Sequence, residues 1–171
     1  QVVVDAVGGA RRGHIERFNP AIVSLKRRLD DGALGRIFMV HSRRVSPYPG
    51  RVSDVGVVLD LATHEFDMMR HLTGSEVVHV QASMSKVFQE VHEDIVFGLL
   101  RFRSGALGIL DVNWVTPTVL RDIRVTGERG MFTVNYLTQE LTFCANAAID
   151  HDMRASDWSP GRDFAVIEGD T

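Results

Sequence analysis

Hydrophobic and polar residues repeat with helical spacing between Gly56 and Gly74, and this stretch predicts an amphipathic helix. At about 100° per residue, the apolar side chains fall on one half of the helix: Val58, Leu61, Ala62, Phe66, Met68, Met69 and Leu72. Ser53 or Asp54 is placed to cap its start, and Gly74 is placed to end it. The apolar half predicts burial of the helix against a core.

The polar side of this helix carries only aspartate and histidine. Four residues at i, i+4, i+7 and i+11 are predicted to share one narrow stripe: Asp60, His64, Asp67 and His71. A carboxylate one turn before an imidazole orients it and raises its proton affinity, which suits acid/base chemistry near neutral pH. Asp60 and His64 are therefore either an acid/base pair or polar surface residues. Asp67 and His71 are interpreted as ordinary polar or bridging residues.

A shorter helix and a strand are predicted before it. Asn19-Pro20 provides a cap followed by proline at the first helical position, apolar residues then recur at helical spacing, and Asp31-Gly32 ends the helix. Residues 37–45 alternate as a strand. A loop with two prolines and two glycines then leads into the Asp/His helix.

From Ser75 onward the hydrophobic period changes to two. Six strands are predicted, over residues 77–86, 94–103, 106–115, 120–126, 131–136 and 140–144. Short turns between consecutive strands predict an antiparallel meander. Strand 94–103 is apolar on both faces, so one face should pack on the helices and the other on a second protein surface.

These elements predict an α+β fold, with an open, mainly antiparallel sheet of six to eight strands and helices on one face. The 171 residues are interpreted as a single domain. Within it, residues 145–171 are expected to be partly irregular and to end as a truncated segment.

Arginines are concentrated where the predicted strand 37–45 enters the proline-rich loop. Arg43 and Arg44 are predicted to be delivered into this loop, which also contains Arg51. Arginines in a stiff loop beside an acid/base helix can bind an anionic substrate through paired hydrogen bonds. The alternative is that they pair with Asp54 or Asp60.

Composition narrows the possible partners. The net charge of −3 does not indicate binding to nucleic acid or to an anionic membrane. No apolar run is long enough for a membrane span. The single cysteine, Cys144, favours a reducing cytoplasm. The glycines after the apolar start do not predict a dinucleotide-binding loop, because Phe18-Asn19-Pro20 follows where that fingerprint needs a helix. No metal site is expected.

Several motifs together resemble one family. G-V-V-L-D-L-A-T-H-E-F-D is similar to the G-x-x-x-D-x-x-x-H-x-x-D signature in the C-terminal domain of the Gfo/Idh/MocA oxidoreductases. G-H-I-E-R-F-N-P-A-I, G-A-L-G-R-I, H-E-D-I-V-F-G-L-L-R-F-R-S-G-A-L-G-I-L-D-V-N-W and V-T-G-E-R-G-M-F resemble the same domain, in family order. Within the family, S-R-R-V-S-P-Y-P and D-V-N-W-V-T-P-T look most like the nucleotide-sugar 3-dehydrogenases.

The resemblance implies a dehydrogenase acting on a sugar or nucleotide-sugar hydroxyl, with NAD or NADP bound by a Rossmann domain that is not expected within residues 1–171. The family's catalytic aspartate and histidine correspond to Asp60 and His64. The matching motifs supply the expected substrate-binding residues: Arg17, Arg43, Arg44, Tyr48, Arg51 and Asn113. The resemblance also implies that residues 1–171 are a substrate-binding and dimerisation domain, with a homodimer formed through the open sheet.

Two alternatives from other classes follow from the same residues. In a metal-dependent hydrolase, Asp60 and His64 would be ligands, but His64 and His71 lie about 10 Å apart along a helix and cannot share one ion. In a non-catalytic ligand-binding or oligomerisation module, the helix would only bind or pack.

Overall fold

The fold is built around an eight-stranded sheet; the computed structural model describes residues 15–50 and 54–146 and the backbone of 164–167. The strands are β1 (Ile37–Val45), β2 (Val77–Ser85), β3 (Ile95–Phe102), β4 (Leu107–Asn113), β5 (Leu120–Gly127), β6 (Gly130–Asn135), β7 (Glu140–Ala145) and β8 (Phe164–Ile167). The predictions for β1 to β7 are confirmed, each to within two residues at either end. In β1, β3, β4 and β6, buried and less buried side chains alternate, which gives the period of two, whereas no residue of β2 is buried.

The order of the strands is β2-β3-β4-β1-β5-β6-β7-β8. β1 pairs in parallel with β4 and antiparallel with β5, and every other pair is antiparallel, so the predicted sheet type is confirmed. The prediction of a simple meander was wrong at the connection between β4 and β5. These strands lie on either side of β1, so residues 114–119 pass across the end of β1 instead of forming a hairpin turn. They span two strand spacings, about 10 Å, which six residues cover easily.

Five strand ends meet at one end of the sheet, which we call the Val45 end: Val45, Ser85, Ile95, Asn113 and Leu120. The second helix begins beside it, because the backbone N–H of Val57 donates to the carbonyl of Glu93 at 2.9 Å, immediately before β3.

The first helical segment follows the sequence prediction. A 3₁₀ turn (Ile15–Phe18) leads into α1 (Pro20–Asp30). The side chain of Asn19 caps α1 by accepting a hydrogen bond from the N–H of Ala21 at 3.0 Å.

The Asp/His helix is not regular along its length. It starts as a π-helical turn (Val58–Ala62), continues as α2 (Thr63–Thr73), and ends at Gly74 in the left-handed conformation, with φ of +59°. The predicted end is confirmed. The predicted cap by Ser53 or Asp54 is not confirmed, because Val57 and not Asp54 stands at the N-cap position, and Ser53 lies outside the described residues.

The core lies between the helices and one face of the sheet. The apolar half of the second helix is buried there as predicted, through Leu61, Ala62, Phe66, Met68, Met69 and Leu72. The sheet contributes the alternate residues of its strands, including Val40, Val96, Leu100, Phe102, Leu110, Val112, Ile123 and Val125. The opposite face, which we call the outer face, exposes Phe97, Leu99 and Leu107. No helix within the described residues combines the length and apolar character needed to cross a membrane.

Residues 145–171 were expected to be partly irregular, and the structure describes one strand among them. Residues 164–167 form β8, which pairs antiparallel with β7. A four-residue strand is too short to show a period, so only its pairing identifies it. The apolar start and the glycines predicted before Gly13 lie outside the described residues.

Candidate active site

Asp60 and His64 lie at the start of the second helix, near the Val45 end of the sheet. Asp60 is in the π-helical turn and His64 in the first turn of α2, and both side chains are partly exposed. The N–H of Thr63 donates to the carbonyl of Val58, five residues back. This turn is wider than an α-helical turn, and no hydrogen bond among the described residues joins the Asp60 carboxylate to the His64 imidazole. Single π-helical turns of this kind frequently mark functional sites.

The C-terminal part of the stripe has a structural role. Asp67 is 4% exposed and accepts two hydrogen bonds from Arg17, from Nε at 2.8 Å and from Nη2 at 2.5 Å. The bonds to Asp67 raise the pKa of Arg17. Arg17, an expected substrate-binding residue, therefore fixes the 3₁₀ turn to α2. Asp67 is therefore a bridging residue, which is one of the two roles that the sequence indicated for it.

His71, one turn after Asp67, has a lowered pKa. Burial lowers it most, and the positive charges of Arg17 and Lys26 act in the same direction. The neutral imidazole is therefore favoured at this position.

Arg43 and Arg44 lie within β1, and the prediction that they stand in the following loop was wrong. Consecutive strand residues point to opposite faces of a sheet. Arg43 lies on the outer face and donates to Asp122 from Nε at 2.8 Å and from Nη2 at 2.5 Å. Arg44 lies on the helix face. Neither pairs with Asp54 or Asp60, the partners that the sequence suggested.

Arg44 belongs to a buried cluster that the sequence analysis missed. Its Nη1 donates to Glu16 at 2.6 Å and to Glu65 at 3.2 Å, and Glu65 also accepts a hydrogen bond from the hydroxyl of Ser42. Burial opposes the charge on Arg44, but Glu65 and Glu16 outweigh it and raise its pKa. Burial also raises the pKa of Glu65, although Ser42 and Arg44 oppose the shift.

A signal for this cluster exists in the sequence. Glu65 falls between Ala62 and Met69 on the apolar half of the helix, at i+3 from one and i−4 from the other. A carboxylate at a core position requires a buried partner. The nearest basic residue along the chain does not identify that partner, because Arg44 is brought to Glu65 only when the helix packs on β1.

A small polar cavity adjoins the cluster. Its volume is about 100 Å³, and it is lined by Glu16, Asn19, Arg44, Glu65, Arg121, Tyr136 and Leu137. The hydroxyl of Tyr136 and Nε of Arg44 are buried and make no hydrogen bond among the described residues. Burial and then the charges of Glu65 and Glu16 raise the pKa of Tyr136 well above its usual value. Tyr136 is therefore a neutral hydroxyl facing a polar space.

The remaining expected substrate-binding residues organise the Val45 end. The ring of Tyr48 lies 5.3 Å from that of Phe88 and 6.3 Å from that of Trp114. Oδ1 of Asn113 accepts hydrogen bonds from the N–H of Val115, at 3.2 Å, and from the hydroxyl of Thr116, at 2.7 Å. It also accepts from the N–H of Thr116 at 3.1 Å. Both side chains thus have structural contacts of their own.

Two further expectations concern Arg51 and metal binding. Arg51 lies outside the described residues. Within residues 15–50 and 54–146, no group of three or more histidine, cysteine, aspartate or glutamate side chains is placed to hold a metal ion.

Comparison with known proteins places this geometry in a family. The model of the GFO/IDH/MocA C-terminal domain matches residues 22–133. The myo-inositol 2-dehydrogenase of Thermotoga maritima is 36% identical over 109 residues, which cover 58% of this chain and 32% of that enzyme. The UDP-N-acetylglucosamine 3-dehydrogenase of Acidithiobacillus ferrooxidans is 27% identical over 130 residues, which cover 75% of this chain and 40% of the enzyme.

A solved structure agrees in fold. The inositol dehydrogenase homologue from Azotobacter vinelandii, in complex with NADH and myo-inositol, has a TM-score of 0.75 at 19% identity, covering 91% of this chain and 41% of that one. The chain spans 32% and 40% of the length of the two curated relatives. Among the relatives, nothing supports the metal-dependent hydrolase. The match of the family model over residues 22–133 shows that this chain belongs to the GFO/IDH/MocA C-terminal domain family.

Proposed function

We propose that this chain is the substrate-binding and dimerisation domain of an NAD(P)-dependent dehydrogenase that oxidises a hydroxyl of a sugar, a cyclitol or a nucleotide sugar. The observation that carries the proposal is the irregular helix start, which presents Asp60 and His64 partly exposed at the Val45 end of a sheet of this family. The names of the relatives support both inositol and nucleotide-sugar substrates.

The nicotinamide cofactor is proposed to bind outside this chain. A dinucleotide site needs a strand, a glycine-rich loop and a helix within a parallel βαβ unit, and the loop 46–57 between β1 and the second helix does not carry the G-x-G-x-x-G fingerprint. When bound, the nicotinamide ring exchanges a hydride with the carbon that bears the hydroxyl. The related structure that was solved with NADH supports a nicotinamide cofactor. The experiment described below compares NAD with NADP.

His64 is proposed as the acid/base residue. Its imidazole takes the hydroxyl proton during oxidation and returns it in the reverse direction, a task that imidazole performs near neutral pH. Asp60 is proposed to stabilise the resulting imidazolium. Because catalytic hydrogen bonds often tighten only when substrate is bound, the open arrangement of Asp60 and His64 is compatible with this role.

The experiment uses the full-length protein that contains this domain. Purified protein is supplied with NAD or NADP and with inositols, hexoses or UDP-sugars, and reduction of the nicotinamide is followed by absorbance. We expect turnover with at least one of these alcohols. Saturable substrate binding without turnover on any of them would favour the non-catalytic module.

Replacement of His64 tests the assignment of the base. His64→Asn should reduce kcat by about 10²–10⁴-fold with a near-normal melting temperature, and Asp60→Asn should give a smaller loss. His71→Asn, two turns along the same helix, is the matched control and should retain most of the turnover. A folded His64→Asn enzyme that keeps more than about a tenth of wild-type turnover would exclude acid/base catalysis by this residue.

A nucleotide-sugar substrate would need a group that binds its diphosphate. Arg43 and Arg44 already hold carboxylates, so their replacement would also break ion pairs, and Arg51 is the better probe. We expect Arg51→Ala to raise KM for a UDP-sugar far more than KM for the free sugar, because guanidinium binds phosphate through charge-assisted hydrogen bonds. Equal effects on both substrates would exclude a phosphate-binding role.

The outer face is proposed to form a homodimer. Its exposed apolar residues Phe97, Leu99 and Leu107 lie on the neighbouring strands β3 and β4, so they form one patch. A cytoplasmic location is proposed with the same function, consistent with the single cysteine.

A further inference from the structure

The start of the Asp/His helix is capped by a residue from a distant part of the chain. The first N–H groups of a helix have no partner within it, and Val57 at the N-cap position offers no side-chain acceptor. Glu93 supplies acceptors for two N–H groups at this helix start. Its carbonyl accepts from the N–H of Val57 at 2.9 Å, and its Oε1 accepts from the N–H of Val58 at 3.1 Å.

Gly56 provides the space that this carboxylate occupies. A Cβ atom at Gly56 would lie 2.1 Å from Oε1 and 2.5 Å from Oε2 of Glu93. Gly56 has no positive φ, so its backbone conformation does not demand glycine. The requirement for glycine therefore comes from the close approach of Glu93.

The residue after Glu93 makes this acceptor rigid. Oδ2 of Asp94 accepts hydrogen bonds from three backbone N–H groups of the loop between β2 and β3: Val87 at 2.7 Å, Phe88 at 2.8 Å and Gln89 at 3.1 Å. The carbonyl of Asp94 accepts from the N–H of Trp114 at 2.9 Å. Glu93 is thus attached to a loop fixed on two sides.

We propose that Glu93 is a positioning residue of the dehydrogenase site, acting through the helix start that carries Asp60 and His64. The inference rests on the proposed function. Its carboxylate satisfies the N–H of Val58, the first residue of the π-helical turn, and places a negative charge at the positive end of the helix. Since the N–H of Asp60 bonds to the carbonyl of Gly56 at 3.1 Å, this cap fixes the turn that sets the spacing between Asp60 and His64. Misplacement of catalytic groups by about 1 Å can reduce turnover by about a hundredfold.

Two different substitutions remove the same contact. Glu93→Ala deletes the carboxylate, while Gly56→Ala pushes it away from Val58 at little cost, because the displaced atoms are the end of a flexible side chain. In the full-length protein, both should lower kcat about tenfold or more, with KM for the cofactor unchanged. The double variant should be no worse than either single one, because the two act on one contact. Glu93→Gln keeps an acceptor and should restore most of the turnover.

Glu90→Ala is the matched control, because Glu90 is exposed in the same loop. Two readouts do not depend on activity: hydrogen exchange at the N–H group of Val58, and the NMR signals of the His64 ring. We expect faster exchange and shifted ring signals in Glu93→Ala and Gly56→Ala, and neither in Glu90→Ala.

The outcomes separate the two proposals. Unchanged exchange at Val58 would overturn the cap, and faster exchange with unchanged His64 signals would overturn the positioning role. Unchanged kcat in an active enzyme would overturn the positioning role as well. If the wild-type enzyme shows no dehydrogenase activity, the proposed function fails, while the His64 signals still decide whether Glu93 positions that side chain.

Discussion

At the scale of single residues, the buried Glu65 fastens the second helix to β1. Glu65 is 2% exposed and binds Ser42 and Arg44, both on the helix face of β1. A buried ion pair of this kind contributes little net stability compared with an apolar pair of the same shape. Loss of one partner is costly, however, because the other charge stays buried. The cluster therefore specifies how the helix lies on the sheet more than it stabilises the fold.

Replacement of Arg44 tests this view of the cluster. Arg44→Ala should lower the free energy of unfolding by about 3 kcal/mol, because Glu65 and Glu16 lose their shared cation. Arg70→Ala is the control: it removes an exposed ion pair with Glu76 and should cost less than about 1 kcal/mol. Urea unfolding followed by tryptophan fluorescence measures both. Equal losses would show that burial adds nothing to the Arg44 pair.

At the scale of elements, Asp94 holds the loop between β2 and β3 in place. Burial alone would raise the pKa of Asp94, but the N–H groups of Val87, Gln89 and Phe88 bond to its charged form and lower the pKa below its usual value. A carboxyl whose pKa is lower in the folded state adds stability above its unfolded pKa, near 3.9. That stability is lost as the pH falls through the folded-state value.

Asp94→Asn tests this stabilisation through its pH dependence. We expect a loss of about 2 kcal/mol in unfolding free energy near neutral pH, since bonds to a charged acceptor are stronger than bonds to a neutral one. The difference from wild type should shrink as the pH falls below about 4. The exposed Asp31→Asn should change stability by less than about 0.5 kcal/mol. A difference that does not depend on pH would argue against a contribution from the charge.

At the scale of the whole molecule, the two faces of the sheet have different environments. The helix face is closed by α1 and the Asp/His helix, while the outer face combines an apolar patch on β3 and β4 with polar residues on β1 and β5, including the Arg43–Asp122 ion pair. An apolar patch with a polar border is typical of a protein interface.

Leu99→Arg tests the proposed homodimer. The side chain of Leu99 is 57% exposed on the outer face, so the substitution should leave the fold intact and place an unpaired charge in the interface. We expect a dimer for the full-length wild-type protein and a monomer for the variant in light scattering at micromolar concentration. Val23→Arg, at a position 52% exposed on α1, is the control and should stay dimeric. A wild-type monomer, or dimers in all three proteins, would contradict this interface.

Local spacing determined much of the architecture. Strands β1 to β7, the cap at Asn19, the end of the second helix at Gly74 and its buried apolar half all follow from the sequence, because each depends on residues within about one or two turns or one strand of each other. The spacing of Asp60 and His64 could be predicted for the same reason, because they are four residues apart. The motif Gly56 to Asp67, on which the resemblance to the family rests, lies at the start of this one helix.

Only the tertiary structure decided which distant residues meet. The insertion of β1 between β4 and β5, the pairing of Glu65 with Arg44 and the cap that Glu93 places on Val58 all join residues far apart in the chain. Periodicity says which face of an element is buried, but it does not say which neighbour covers it. Even the π-helical turn, although local, depends on two acceptor atoms of Glu93, which lies outside the helix. The final geometry of Asp60 and His64 is therefore set by another part of the chain.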